Sequence, residues 1–506
     1  MPEFGDLWKG GVADRERFVR RARRNAFLTH PYLAPPFGEG DARSEDLPDP
    51  RQSVGSDGVT NLAAKLAISL FPPQSTFFRY VLDKEKFFAA GGDPSKLPEA
   101  ELSLSQRAAA IQNRLDTSGF RVRLIEALEN EIVTGTSVLR LTERFTWRAY
   151  GLSEVVLYRD GDDELDALVV REVISRDRLP EDIRSRAEPA GDRQRNQVYL
   201  LTGNVKEGGK WRTHQEAGGI TLPESAGTYT KDKFPWLAPR MIVKSGEDYG
   251  RAYIDGVIGN LVTLEGLTEN LAQYAALATR MVGINPAGSG IRNKKLTEAR
   301  NGEWLTGSLR PDMGFLKADK LSDIQAAVGL REDIKRDLQR RFLLLNPVRD
   351  AERVTAEEVA RTSQELTETL GGAFTVLGDE LQSPIVRLLE SRMVSAGELR
   401  QLEDGVASPK VVTGLDAIGR TRDEVSLNQY AASIQAIFGP ERTGEILDDS
   451  GYANRLAAAK GFDPTGLVRT PEEMAQREQQ RAQQKVVEAA APNIANQAAR
   501  SVAPQQ

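Results

Sequence analysis

RAYIDGVIGNLVTLEGLTENLAQYAALATR, residues 251–280, is the stretch from which the rest of the chain can be read. Ile254, Val257, Ile258, Leu261, Leu264, Leu271 and Tyr274 recur in it at helical spacing, which predicts one long amphipathic helix over Arg251–Arg280. Such a helix is too long for a small monomer to cover its apolar stripe completely. Residues 281–319 follow, punctuated by Gly and Pro with short apolar runs, and read as a small compact insert. A second helix is expected over Lys320–Leu345, stopped by Asn346-Pro347. A third starts after Arg353 and runs past Met393 with Gly371 and Gly372 inside it. Each glycine weakens a helix by ~1 kcal/mol relative to alanine, so a bend or hinge is expected there.

Upstream the pattern is mixed. Residues 14–30 read as a basic helix in which Arg15, Arg17, Arg20, Arg21, Arg23 and Arg24 interleave with Phe18, Val19, Ala22 and Phe27. Two readings stand: a phosphate-binding face, or an ordinary solvated face whose apolar stripe is packed down. Residues 31–57 suggest an irregular connection. Helices are expected from Gly58 to Phe71, Leu102 to Asp116 and Arg121 to Thr134, the last ended by Gly135 before a strand at 137–141. Val155–Tyr158 and Leu168–Val170 flank the turn pair Asp160-Gly161 and predict a β-hairpin. Residues 176–195 read as helix or loop, and 198–219 as more sheet. Shorter helices are expected over 415–470, ahead of a Gln- and Ala-rich tail from Pro471.

Composition narrows the function. The 506 residues suit two to four domains at ~150 residues each. No cysteine is present, which removes disulfides, thiolate metal sites and cysteine nucleophiles and fits a reducing compartment. The net charge of −6 means that any grip on nucleic acid is local or weak, because phosphate neutralisation supplies most of such affinity. No apolar signal core opens the chain and no run suits a membrane span, so a soluble protein is expected.

Catalytic signatures are missing. The segment Gly203–Trp211 is the nearest thing to a P-loop, but it has one glycine too many and Trp211 where a hydroxyl must hold magnesium. The acidic run Asp160, Asp162, Asp163, Glu164 and Asp166 lies at the predicted hairpin tip and lacks the calcium-loop glycine. His30 and His214 form no motif, and no nucleophile elbow accompanies them. The expectation is a protein with no enzymatic activity, no cofactor and no metal.

Five segments, in collinear order, carry a resemblance: GVTNLAAKLAISLFPPQSTFF (58–78), SGFRVRLIEALENEIVTGTSVL (118–139), GEDYGRAYI (246–254) with Asn285-Pro286-Ala287-Gly288, ERVTAEEV (352–359) continuing into LTETLGGAFTVLGDELQSPIVRLLE, and VTGLDAIGR (412–420). Together they resemble the portal, or head-to-tail connector, family of short-tailed bacteriophages. The resemblance implies an α+β, mainly helical, ring-forming portal fold with wing, stem, clip and crown regions. By analogy the wing covers 1–250, the stem helices 251–280 and 320–345, the clip 281–319 and the channel loop 346–353. The wing helix and its return cover 354–414, the crown 415–470 and the tail 471–506.

What the resemblance implies for function is a homododecamer at one capsid vertex of the virion, assembled in the host bacterial cytoplasm. Double-stranded DNA would pass through it without sequence preference. Its protein partners would be the terminase large subunit, then the tail adaptor and tail tube, with the major capsid and scaffold proteins and, as a further candidate, internal core proteins; no membrane is involved. The candidate DNA contacts are Arg349 and Arg353 in the loop and Lys335, Arg336, Arg340 and Arg341 on the preceding helix. For the helix cations an exposed ion-paired face is the alternative, since Glu332, Asp333 and Asp337 interleave with them. Lys294, Lys295, Arg300 and Trp304 are candidates for the clip's partner surface, with Trp304 equally suited to the core of the insert. Competing classes are a packaging enzyme, which needs the missing P-loop, and a tail adaptor or other head–tail assembly protein.

Overall fold

The computed structural model describes residues 4–35, 47–73, 76–89, 91, 93, 97–191, 196–278, 283–284, 314–315, 321–345, 356–402, 405–411, 415–447, 451–453 and 456. In chain order its helices are α1 (Phe4–Phe27), α2 (Val54–Leu70), α3 (Lys84–Ala89), α4 (Leu97–Thr117), α5 (Phe120–Thr134), α6 (Glu181–Arg184), α7 (Ile258–Ala278), α8 (Leu321–Arg341), α9 (Ala356–Leu370), α10 (Gly372–Leu377), α11 (Ser383–Ser395) and α12 (Leu415–Ile446). The strands are β1 (Phe78–Leu82), β2 (Val138–Leu141), β3 (Trp147–Tyr150), β4 (Val155–Arg159), β5 (Leu165–Ser175), β6 (Gln197–Glu207), β7 (Lys210–Ala217), β8 (Ile220–Tyr229), β9 (Trp236–Leu237), β10 (Gly283–Ile284), β11 (Gly314–Phe315) and β12 (Ala407–Val411). The chain divides into two compact units. One joins Met1–Ile68, Ser118–Val354 and Glu365–Leu388; the other joins Ser69–Thr117, Thr355–Gln364 and Leu389–Gln506.

The first unit is organised on a five-stranded antiparallel meander, β4-β5-β6-β7-β8. The expected hairpin is its first turn, with Val155 opposite Val170 and Leu157 opposite Leu168. Successive side chains point to opposite faces of a strand. On one face Phe4 and Trp8 of α1 pack against Val156 and Val169, with Leu201 and Val205 alongside. On the other, Leu179, Ile183 and Ala187 pack on Val198 and Ala217. Helix and sheet approach closely because two glycines stand between them. A Cβ on Gly11 would lie 2.0 Å from Val156 Cγ1, and one on Gly203 would lie 2.0 Å from the Phe4 ring.

The helix α1 starts ten residues before the expected position, because Phe4 and Trp8 extend the apolar face back past Gly10-Gly11. Its ends are fixed by buried polar groups. The Glu216 carboxylate on β7 accepts the backbone N–H of Phe4 at 2.9 Å and of Gly5 at 3.1 Å, satisfying orphan donors of the first turn. Near the other end Asn25 donates to the Val133 carbonyl and to Asp255. Arg15 is buried, its guanidinium donating to the carbonyls of Leu152, Ser153 and Val155. Its charge therefore belongs to the packing, and a phosphate-binding role for Arg15 is ruled out by its burial.

Beneath the meander, α5 is held in the core with the three-stranded sheet β3-β2-β9. Gly135, at φ 93°, ends α5 and donates to the Glu131 carbonyl, and its α-carbon faces the backbone carbonyl of Gly250 too closely for any side chain. A charged network lies near this junction. The Arg240 guanidinium, almost fully buried, donates twice to Glu380 Oε1, at 3.1 and 2.7 Å, while its backbone N–H meets Oε2. Arg159 donates to the carbonyls of Asp248, Asp163 and Ala238, and burial together with the like charge of Arg240 pushes its pKa down to about 10.

The second unit contains a two-stranded ribbon, β1 with β12, pairing Phe78 with Val411 and Leu82 with Ala407. Arg107 of α4 is the inward cation of this unit; its Nε lies 2.7 Å from Glu390 and its Nη1 donates to the Arg400 carbonyl. The segment 415–446 is helical but interrupted at Gly439, φ 79°, followed by Pro440, so it is a pair of helices; of the 415–470 over which shorter helices were expected, most of 448–470 lies outside the described residues. No helix of the described residues is long and apolar enough to cross a membrane.

Glu131 of α5 is 0 % exposed, and its one side-chain hydrogen bond among the described residues comes from the Ser137 hydroxyl, at 2.7 Å. Burial raises its pKa to about 8; the Ser137 hydrogen bond opposes the shift and Glu380 adds to it. The folded chain thus keeps a proton that the unfolded chain releases in the ordinary carboxylate range. Stability falls as pH rises from that range to about 8, by at most about 1.4 kcal/mol per pH unit. Glu131→Gln removes this component. Denaturation midpoints of the two proteins should diverge between pH 5 and pH 8, with the variant the more stable at pH 8; parallel pH profiles would show that Glu131 is charged in the fold.

Candidate functional site: the anchored end of the helix pair

Helices α7 and α8 lie side by side, with Leu261, Leu264 and Leu338 buried. Arg251 to Val257 form not the first turn of α7 but a 3-10 turn, Tyr253–Gly256, and its surroundings, so the long helix starts at Ile258. Asn260 of α7 donates to Asp337 of α8 at 2.8 Å. The insert between the helices is closed at its base by β10 and β11, which pair Gly283 with Phe315 and Ile284 with Gly314. Lys294, Lys295, Arg300 and Trp304 lie outside the described residues.

The C-terminal end of α8 is held from three sides. Phe342 is fully buried with its ring over Gly58 of α2, where a Cβ would come within 2.4 Å, and it meets the Tyr253 ring edge-on. Asn61 of α2 donates its amide to the carbonyls of Phe342, at 2.9 Å, and Leu343, at 3.1 Å, while the Tyr253 hydroxyl donates to the Arg341 carbonyl at 2.8 Å. These three carbonyls are among those a helix end leaves without internal partners. Leu343 then turns the chain with φ 54°, a conformation costly for a branched side chain and held here by the surrounding bonds. Residues 346–353, with Arg349 and Arg353, follow at once and lie outside the described residues.

The four helix cations fall into two classes. Arg336 pairs with Asp333 at 2.6 Å, and Arg341 with Asp337 at 3.1 Å. Lys335 and Arg340 make no ion pair with any described residue; Arg340 is exposed and Lys335 half-buried. Arg331 holds the Glu332 carboxyl below its usual range. Exposed ion pairs of this kind add little to stability, so their consequence is to leave Arg340, among the described residues, as the exposed cation without an ion pair nearest the helix end.

Further along the chain, Gly371 takes φ 53° and ψ −121°, and this single residue separates α9 from α10. Gly372 is the first residue of α10 and needs no special conformation. A π-helical turn, Gly378–Gln382, then carries Glu380 to Arg240 before α11 begins. The expected bend is thus a break at Gly371 and a widened turn seven residues later. Lys65 of α2, buried, meets Glu365 of α9 at 3.2 Å in the same unit.

The rejected motifs are structural. Gly208 and Gly209, both with positive φ, form the tight turn joining β6 to β7 within the P-loop-like segment. In the acidic run Asp160 accepts the backbone N–H groups of Asp162 and Glu164, and Lys206 and Lys231 hold the Glu164 carboxyl down to about 2. His214 stacks on Phe4 at 4.0 Å, and burial lowers the pKa of His30. No group of three or more potential metal ligands occurs among the described residues. What sequence reasoning missed is the anchoring set: Gly58, Asn61, Tyr253 and Phe342. Asn61, a polar residue beside the apolar stripe of α2, was the one signal available.

Alanine at Gly371 must adopt a positive φ that L residues avoid, at a cost of about 1–2 kcal/mol, whereas at Gly372 it should be neutral or favourable. Thermal unfolding should therefore drop by several degrees for Gly371→Ala and not for Gly372→Ala; equal effects would contradict the assigned break.

A family model described as bacteriophage head to tail connecting protein matches residues 3–468. The portal protein of Escherichia phage T7 is 34% identical over 483 residues, covering 93% of this chain and 88% of that protein. The portal protein of Enterobacteria phage T3 is 33% identical over 470 residues, covering 91% and 87%. Among solved structures, a chain in the virion of a native gene transfer agent particle is 10% identical, with a TM-score of 0.37 over 83% of this chain and 93% of that one. The match runs from α1 through the helix pair and past α12, so the segments on which the resemblance rested are parts of one continuous likeness: the chain belongs to the bacteriophage head to tail connecting protein family.

Proposed function

We propose that this chain is the portal subunit of its phage, forming a dodecameric ring at one capsid vertex through which double-stranded DNA is packaged and ejected. The observation that carries the reading is the family match across nearly the whole chain, with relatives that are portal proteins themselves. In this reading α7 and α8 are the stem, the insert between them the clip, residues 346–353 the channel loop and the segment after 415 the crown. Gly371-Gly372 is the point at which the wing helix turns. The clip binds the terminase large subunit during packaging and the tail adaptor and tube afterwards; the wing meets capsid, scaffold and internal core proteins. The subunit performs no catalysis of its own.

The physics of the helix pair supports the ring. Val262 on α7 and Leu330 on α8 are 44% and 50% exposed in the single subunit. Identical copies repeated about a closed rotation axis would cover such residues through a heterologous interface. DNA must pass without being held. An acidic subunit repels the duplex, and sparse cations at the narrowest point attract phosphates weakly. The anchored end of α8 supports assigning that point to the loop that follows it, with Arg349 and Arg353 as contacts and Arg340 as the helix cation free to join them. Arg336 and Arg341, each tied to an aspartate, contribute less.

Negative-stain microscopy of the purified protein should show rings with a central hole and a mass near twelve subunits; turnover of ATP by the pure protein would contradict the reading. Replacing Arg349 and Arg353 together by alanine should leave ring assembly intact and lower the yield of stably filled heads. Unchanged yields would remove the loop arginines from the channel.

A further inference from the structure

The arginine-rich run of α1 is not absorbed by the channel. Its apolar side, Phe18, Val19, Ala22 and Ala26, is buried, Arg15 is spent on backbone carbonyls, and Arg23 approaches Glu16 at 3.8 Å. Arg17, Arg20, Arg21 and Arg24 remain. Arg17, Arg20 and Arg24 are exposed, Arg21 is half-buried, and none of the four makes an ion pair or side-chain hydrogen bond with a described residue. The guanidinium groups of Arg17 and Arg21 lie 4.7 and 5.1 Å from the same Phe18 ring, which holds these two in place.

The spacing makes this costly for the chain alone. Arg17 with Arg21 and Arg20 with Arg24 are i, i+4 pairs, and Arg17 with Arg20 and Arg21 with Arg24 are i, i+3 pairs, all of like charge and each disfavouring the helix. A protein of net charge −6 has carboxylates in plenty, yet among the described residues none pairs with the stripe. An arrangement that breaks a local rule without compensation among the described residues points to an external partner.

We propose that this stripe is a second DNA contact, binding the phosphate backbone of duplex DNA without sequence preference. The cations from Arg17 to Arg24 span about 10 Å of helix, which matches roughly three phosphates at about 3.4 Å of axis per strand. Guanidinium forks suit phosphate oxygens, and backbone contacts carry no sequence information. A protein partner would need an apolar centre depleted of charge; within the stripe no apolar side chain is exposed before Phe27, at its end. A single strand would want aromatic platforms between the cations, and Phe18 is buried beneath them. The proposal does not rest on the channel assignment, which uses residues of other elements.

Binding of a random-sequence duplex to the full-length protein, followed by fluorescence anisotropy from 50 to 200 mM NaCl, tests it. Arg17→Gln, Arg20→Gln and Arg24→Gln combined should reduce the slope of log K against log salt by about 2.7 for each stripe engaged, and the Arg20→Gln, Arg24→Gln pair by about 1.8. The loop variant Arg349→Ala, Arg353→Ala should keep the contribution of the stripe. An unchanged slope in both stripe variants overturns the proposal. So does loss of binding to polyglutamate with DNA binding intact, which would assign the stripe to an acidic protein.

Discussion

The seat of Phe342 over Gly58 is the contact on which the central part of this molecule depends. An aromatic ring fits against a helix backbone only where the facing residue has no side chain, and α2 supplies that gap one turn before Asn61. Asn61 and Tyr253 then satisfy carbonyls that would otherwise be left bare at the end of α8. Apolar packing and hydrogen bonding thus act on the same few atoms. The result is a fixed end for α8, set by its contacts with α2 and Tyr253.

A second fixed point lies at the π-helical turn Gly378–Gln382. Glu380 is drawn to Arg240 by paired hydrogen bonds in a nearly dry setting, where breaking one partner leaves an uncompensated charge. The π-helical turn holds Glu380 at that arginine, and Gly371, with positive φ, ends α9 seven residues before the turn begins.

Much of this was legible in the sequence, and the exceptions share a reason. The hairpin at Asp160-Gly161, helix α5 with its Gly135 stop, and the order of helix, insert and helix follow from local period and turn chemistry. Local period could not reveal the ribbon of residues 78–82 with 407–411, whose two halves come from distant parts of the chain. It also placed the first helix over residues 14–30, whereas α1 begins at Phe4 and Gly11 is where Val156 approaches it. The helix after Arg353 read as bent at Gly371-Gly372, where the chain does break, while the π-helical turn that brings Glu380 to Arg240 left no local signal, its partner being remote in sequence. At the candidate site the interleaved acids correctly suggested the pairing of Asp337 with Arg341, while the anchoring of α8 depends on partners on other elements and left only Asn61 as a trace.

The proposed ring requires that apolar surface of the helix pair be covered by copies of the same subunit. The chain has no cysteine, so single thiols placed at Val262 or Leu330 report on that surface without background. In the assembled protein both thiols should react slowly with a polar maleimide and rapidly once the assembly is dissociated. Fast labelling of the native protein at both positions, with a mass of one subunit, would contradict it.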